Sequence, residues 1–379
     1  MMRGSKMKKI KVMLLFGTRP EAIKMAPLVI ALKKDPRFQT LVTLTAQHRE
    51  MLDQVLALFA ITADYDLNLM KPGQTLCYLT ASILNELKPI LETESPDMIL
   101  VHGDTTTAFA AALSAFYEQI PIGHVEAGLR TKNKYSPYPE EMNRTLISQL
   151  GDLHFSPTPG NRDNLICEDI PENQIVITGN TVIDALLMTV KDNYQFTNPI
   201  LNTIDYDNRR VILLTSHRRE NIGAPMVEIF SAIRELVLNN PDVEVVFPMH
   251  PNPQIAKTAL PLLADLDRVH ILEPLDYGDM SNLMGRAYLV LTDSGGIQEE
   301  APALGKPVVV LRKETERPEA VAAGTVVMGG VEKANIIRIT QHLLDDPLAY
   351  QTMAQAVNPY GDGKAALRIC QAIAAYFNK

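Results

Sequence analysis

Short apolar, β-branched runs alternate with longer amphipathic stretches along almost the whole chain, and this alternation limits the fold more than any other feature. KVMLLFG (11–17), TLVTLTA (40–46), DMILVHG (97–103), PIGHVE (121–126), DLHFSPT (152–158) and IVITGN (175–180) read as strands. Near-continuous apolar strands need cover on both faces, and helical patterns such as 21–34 and 105–119 supply it. The prediction is a parallel, doubly wound sheet. After the polar, Asn-rich segment 191–210 the pattern restarts with VILLTSH (211–217), VEVVFPMH (243–250), RVHILEP (268–274), AYLVLTDS (287–294), KPVVVL (306–311) and TVVMGG (325–330). At 379 residues the chain exceeds one ordinary core. Two α/β units of similar size with a cleft between them are expected, dividing near 180–210. A last helix (364–377) follows the breaker NPYGDG (358–363), and spacing alone leaves open which unit it joins.

Composition removes several classes. A net charge of -8 argues against nucleic acid as the main partner. No apolar stretch is long enough to span a bilayer. The opening MMRGSK has no apolar core after its charges, so it is not a secretory signal, and residues 1–7 read as a tag remnant outside the fold. Cys77, Cys167 and Cys370 lack metal-ligand spacing and suit a reducing cytoplasm.

Three acids follow strand-like runs: Asp104 after DMILVHG, Glu126 after IPIGHV, and Glu140 in YSPYPEE (135–141). The carboxyl ends of parallel strands lie on one edge, where ligands bind. His102/Asp104 and His124/Glu126 are i, i+2 pairs, expected to point to one side of a strand. A metal is acceptable to such pairs, but acid–base work is the preferred reading, because no further ligand is evident. The structural alternatives are Asp104 as cap of the helix beginning at Thr105 and the histidines as hydrogen-bonded core residues.

The sharpest anion signal is LTDSGGIQEEAPALGKP (291–307), a strand that runs into Ser294, Gly295 and Gly296 and then opens a helix. Glycines admit a phosphate to the backbone, and the helix dipole favours it. Glu299 and Glu300 are expected in the first turn, where one must turn away from the phosphate, for example to ribose hydroxyls; a capping box is the alternative. FGTRPE (16–21) lacks the spaced glycines of a dinucleotide fingerprint but offers Arg19 at a helix start, with Lys24 beyond. SHRRE (216–220) and ETERPE (314–319) bring His217 and Arg317 to strand ends, suited to a diphosphate.

These motifs, with TAQHREMLDQVL, HVEAGLRT, YSPYPEEMNR, TGNTVIDAL and NPYGDG, closely resemble the bacterial non-hydrolysing UDP-N-acetylglucosamine 2-epimerases over essentially the whole chain. The resemblance implies two Rossmann-like domains of the glycosyltransferase-B type: 8–180 with 361–379 returning to it, and 181–360. It implies a cytoplasmic homodimer with no cofactor, and interconversion of UDP-GlcNAc and UDP-ManNAc through loss of UDP to 2-acetamidoglucal. Asp104, Glu126 and Glu140 would do acid–base work, and His217 would assist the leaving phosphate with Arg19 and Lys24. Ser294, Gly295 and Gly296 would hold phosphates, Glu300 the ribose and Arg317 the nucleotide, with Leu275 and Met280 lining the uridine pocket. Gln47, Arg218 and His250 match a second UDP-GlcNAc site that activates some relatives, although Gly73 stands where many carry arginine before QTL. The rivals are a hydrolysing epimerase, disfavoured by the absence of an appended kinase domain, and a catalytically silent UDP-sugar sensor, disfavoured by the presence of all three acids. A glycosyltransferase shares the architecture but would need an acceptor site.

Overall fold

The computed structural model describes residues 8–45, 49–69 and 73–378. Chain contacts divide these into a first unit, up to Met188 and again from Tyr360 onward, and a second unit, Thr189–Pro359. Strands β1 (Ile10–Phe16), β2 (Phe38–Leu44), β3 (Tyr65–Asp66), β4 (Met98–His102), β5 (Ile122–Val125), β6 (Leu153–Ser156) and β7 (Ile175–Ile177) build the first sheet. Its order is β3-β2-β1-β4-β5-β6-β7, and every pairing is parallel. Strands β8 (Arg210–Thr215), β9 (Val243–Pro248), β10 (Val269–Leu272), β11 (Leu289–Thr292), β12 (Val308–Val310) and β13 (Val326–Met328) build the second, also parallel, in the order β10-β9-β8-β11-β12-β13.

Every predicted strand is present, and β3 is additional; two residues are too few to produce an apolar pattern. The central strands are buried on both faces, as Val12 to Phe16 and Met98 to Val101 illustrate. Small residues let helix Thr106–Tyr117 settle closely on the first sheet: Ala108, Ala110, Ala111, Ala112 and Ala115 are all fully buried. In the second unit Phe230 and Phe247 anchor a core between sheet and helices.

The sheet order reverses beside β1 and β4 in one unit and beside β8 and β11 in the other. Such reversals open a crevice at the strands' carboxyl ends, where ligands bind. The loops leaving these four strands are 17–18, 103–105, 216–218 and 293–294; they carry Asp104, His217, Arg218 and Ser294, while Glu126 follows β5.

Helix Thr181–Thr189 stays with the first unit almost to its end. Asp184 gives the reason. Helix Ala365–Phe377 has no side-chain cap of its own, and Asp184 accepts the N–H groups of Ala365 (3.1 Å) and Ala366 (2.9 Å). Burial pushes the Asp184 carboxyl up, while these amides oppose the shift. The returning chain is also fixed by Asn180 N–H donating to the Tyr360 carbonyl at 2.7 Å. A Cβ on Gly179 would lie 3.1 Å from the Gly361 Cα, and both glycines have positive φ, which side chains rarely adopt. Among the described residues, no helix is long and apolar enough to cross a membrane.

Candidate active site

In the first unit, a buried glutamate organises the crevice. Thr18 and Glu21 form a capping box at the start of helix Arg19–Lys34. Glu21 also accepts the Gly17 and Thr18 N–H groups at 3.1 and 2.8 Å, and the Thr105 hydroxyl at 2.6 Å. This ties the loop after β1 to the loop after β4. Thr105, not Asp104, caps helix Thr106–Tyr117, its hydroxyl accepting the Ala108 N–H. Asp104 is thereby released from the capping role, and its carboxylate accepts from the buried Arg144. Asn143 donates to the Asp104 carbonyl at 2.9 Å, so helix Glu140–Leu150 grips Asp104 from both ends.

Glu126 has φ 64°, a left-handed conformation that is strained for a side-chain-bearing residue. It is held there by Lys24, which forms an ion pair with Oε2, and by Asn180, whose amide donates to the same oxygen at 2.8 Å. His102 Nε2 lies 3.7 Å from it. Burial alone would raise the Glu126 carboxyl, but the charges of Lys24 and then His102 carry it well below its ordinary range. The expected i, i+2 pairing is therefore replaced by a cross-strand one. Strand geometry ends at His102 and Val125, and Gly103 (φ 65°) and Glu126 turn the chain. His124 instead places Nε2 2.7 Å from the Gly103 carbonyl, and burial drops its pKa to about 3, with the nearby His154 adding to the effect. It is a neutral core histidine, and so is His154, lowered to about 4 by burial.

The two acids of YSPYPEE differ. Glu141 is buried and accepts the Thr131 and Lys132 N–H groups at 3.0 and 2.8 Å, fixing the loop after β5. Glu140, at the first position of its helix, is half-exposed, and its carboxylate makes no hydrogen bond or ion pair among the described residues. Arg19 is likewise half-exposed at its helix start. Lys24, expected beside a leaving phosphate, is engaged with Glu126.

In the second unit, β8 delivers His217 and Arg218, and β11 delivers Asp293 and Ser294. Ser294 stands at the cap position of helix Gly295–Ala303, yet its hydroxyl makes no cap hydrogen bond. A Cβ on Gly295 would lie 3.5 Å from Nη2 of Arg218 and 3.7 Å from Nη2 of Arg317. Two guanidinium groups therefore converge over an uncapped helix N-terminus, an arrangement made for an anion. The glutamates lie a turn later than expected, since the helix opens at Gly295 and its first turn holds no acid. Glu299 is buried and pairs with Arg317, which aims the guanidinium. Glu300 Oε1 lies near Gly296, 3.4 Å from where a Cβ would sit.

Leu275 and Met280 line a cavity of about 170 Å³ with His217, His250 and Ile297. His250 stacks on His217, with centroids 5.8 Å apart and planes at 16°. Burial lowers the His217 pKa, Asp293 opposes that, and Arg218 and His250 reinforce it. Arg218 and His250, expected in an activator pocket, thus neighbour residues expected at the substrate. Gln47 lies outside the described residues. Among those residues, no three His, Cys, Asp or Glu groups are placed to hold a metal ion.

Sequence reasoning passed over Arg144, Asn180 and Asp293. All three stand inside quoted motifs (EEMNR, TGNT and TDSGG), but their partners are distant in sequence.

Two parallel Rossmann-like sheets of the glycosyltransferase-B type, one with paired acids at its switch point and the other with an anion-binding helix start, define a nucleotide-sugar enzyme architecture. A family model described as UDP-N-acetylglucosamine 2-epimerase matches residues 30–374. The UDP-N-acetylglucosamine 2-epimerase of Bacillus subtilis (strain 168) is 53% identical over 371 residues, covering 98% of this chain and 97% of its own. A crystal structure from Listeria monocytogenes superposes with a TM-score of 0.93 at 52% identity, covering 98% of this chain and 97% of that one. The UDP-GlcNAc 2-epimerase of Neisseria meningitidis, bound to UDP-GlcNAc, gives 0.85 at 50% identity, covering 96% and 100%. The chain belongs to the UDP-N-acetylglucosamine 2-epimerase family and is an isomerase.

Proposed function

We propose that this chain interconverts UDP-GlcNAc and UDP-ManNAc without net hydrolysis. The C2 proton of the sugar is not next to a carbonyl, so an enolate is unavailable. Elimination solves this: a carboxylate takes the C2 proton, the C1–O bond breaks with its electrons leaving on the diphosphate, and 2-acetamidoglucal forms. Return of a proton to the opposite face of C2 and re-addition of UDP at C1 give the epimer. The reaction needs two proton-transfer groups and firm stabilisation of a departing anion.

The observation that carries this reading is the pair of carboxylates on adjacent strands, Asp104 after β4 and Glu126 after β5, each with its own cationic partner. Asp104, Glu126 and Glu140 share the acid–base work and the support of positive charge at C1, with Glu126 kept ionised by Lys24. The Arg317 guanidinium beside Gly295, with Ser294 and Gly296, suits the nucleotide's diphosphate, with His217 donating to the leaving oxygen and Arg19 adding charge. Glu300 suits the ribose, and the cavity lined by Leu275 and Met280 suits the uracil. The Neisseria relative, solved with UDP-GlcNAc, supports the substrate class. The enzyme works as a cytoplasmic homodimer without a cofactor. A second UDP-GlcNAc serves as activator, with Arg218 and His250 contributing.

Product analysis tests this. UDP-GlcNAc should approach a fixed ratio with UDP-ManNAc while free UDP stays flat. Steady accumulation of UDP and free ManNAc would show a hydrolase instead.

A further inference from the structure

Asp293 is fully buried, and among the described residues no lysine or arginine side chain pairs with its carboxylate. A buried charge normally requires such a partner. Here polar donors take its place, and they are unevenly shared. Oδ2 accepts the N–H groups of His217 (2.8 Å) and Arg218 (2.9 Å), the Asn221 amide (3.1 Å) and the Ser216 hydroxyl (3.3 Å). Oδ1 has only a share of the His217 N–H at 3.1 Å, and it faces the His217 imidazole, with Nδ1 at 3.3 Å. A residue that merely anchored the loop after β8 would need Oδ2 alone.

We propose that Asp293 is a positioning residue for His217, holding a proton on Nδ1 so that Nε2 is the nitrogen presented to the leaving diphosphate. As C1–O breaks, the Nε2 proton passes to the phosphate oxygen and the neutral Nδ1–H tautomer stays on Asp293. As C1–O re-forms, Nε2 takes the proton back. Asp293 also supports the imidazolium before donation. This rests on the reading of His217 as the donor to the leaving group. The other charged groups facing His217 are Arg218 and Glu220 on its own loop and His250 after β9; Leu275, Met280 and Ile297 close the cavity with apolar surface. Asp293 is thus the principal group that favours the charged imidazole against burial.

The test compares Asp293→Asn, His217→Asn and the double variant in kcat against pH, with UDP affinity as the control for folding. Asp293→Asn should lower kcat by about 10²-fold or more, the scale of a lost general acid. Its kcat should also fall with rising pH from a lower pH than in the parent, and the double variant should be no slower than His217→Asn alone. Additive losses, or an unmoved pH profile, would make Asp293 a structural anchor only. A second measurement needs no Asp293 variant: ¹⁵N-histidine spectra of the unaltered protein, with His217 assigned by its absence in His217→Asn. The neutral ring should carry its proton on Nδ1; a proton on Nε2 overturns the proposal. If His217→Asn keeps full kcat, the leaving-group role fails, and the tautomer still reports separately on Asp293.

Discussion

Replacing Lys24 with methionine keeps the aliphatic stem and removes the charge that offsets the burial of Glu126. Both side chains are mostly enclosed, at 21% and 16% exposed, so the lost pairing is not taken over by water. Removing one partner of a buried pair costs about 3–5 kcal/mol, and the residual exposure argues for about 3. At roughly 2–4 °C per kcal/mol for a domain of this size, the melting temperature should fall by roughly 6–12 °C at pH 7. The pH dependence carries the sharper signature. In the parent, the depressed Glu126 carboxyl contributes stability above the ordinary carboxyl range and loses it as pH falls through the lower folded value. Without Lys24, burial is opposed mainly by His102, and the carboxyl moves up instead. A raised carboxyl penalises the fold at neutral pH, and the penalty is relieved as Glu126 takes a proton. The gap between variant and parent should therefore narrow as pH falls from neutral toward the ordinary carboxylate range. Circular dichroism melts can follow this, since the chain has no tryptophan for fluorescence. A variant that melts with the parent at pH 7, or a gap that stays constant with pH, would refute the pairing as the source of Glu126's charge.

Asp104→Asn and Glu126→Gln should abolish proton exchange at C2 while leaving UDP affinity near normal; a large loss of UDP binding would make either residue a nucleotide contact. His217→Asn should slow turnover about 10²–10³-fold, the scale of a preorganised electrostatic contact, and unaltered turnover would remove it from the site. Gly128→Ala should cost at least about 1–3 kcal/mol in urea unfolding, because its Cβ would meet the Asn161 carbonyl oxygen at 2.1 Å with φ at +93°. Asp184→Ala leaves two buried amides of helix Ala365–Phe377 without an acceptor, at about 1–3 kcal/mol each; hydrogen exchange in that helix should rise selectively.

Much of the fold was legible because its strands are buried on both faces. Runs such as VMLLF and MILV have no polar residue to disguise them. The edge strand β3 was illegible because Tyr65 and Asp66 are half-buried or exposed and too short to show a period. Glu140 opens a helix well beyond β5, whereas Asp104 and Glu126 were legible by position, each lying just after an apolar run. Their partners were not. Asp104 depends on Arg144, and Glu126 on Lys24 and Asn180, contacts made by folding rather than by local pattern. The expected alternation of His124 with Glu126 failed for a backbone reason, since positive φ at Gly103 and Glu126 ends the strand geometry that alternation assumes. The Ser294 helix start held both readings open until its hydroxyl was seen to make no cap. The glutamates beyond it were misplaced by one turn because the helix opens at the first glycine.

The central claim is that a proton leaves C2 and returns from the other face while UDP departs and comes back. Incubation with UDP-GlcNAc in deuterated water, read by mass spectrometry and proton NMR, tests it most directly. The account predicts one deuterium at C2 in both UDP-GlcNAc and UDP-ManNAc at equilibrium, and none elsewhere on the ring. Epimer formed with its original C2 hydrogen intact would contradict it.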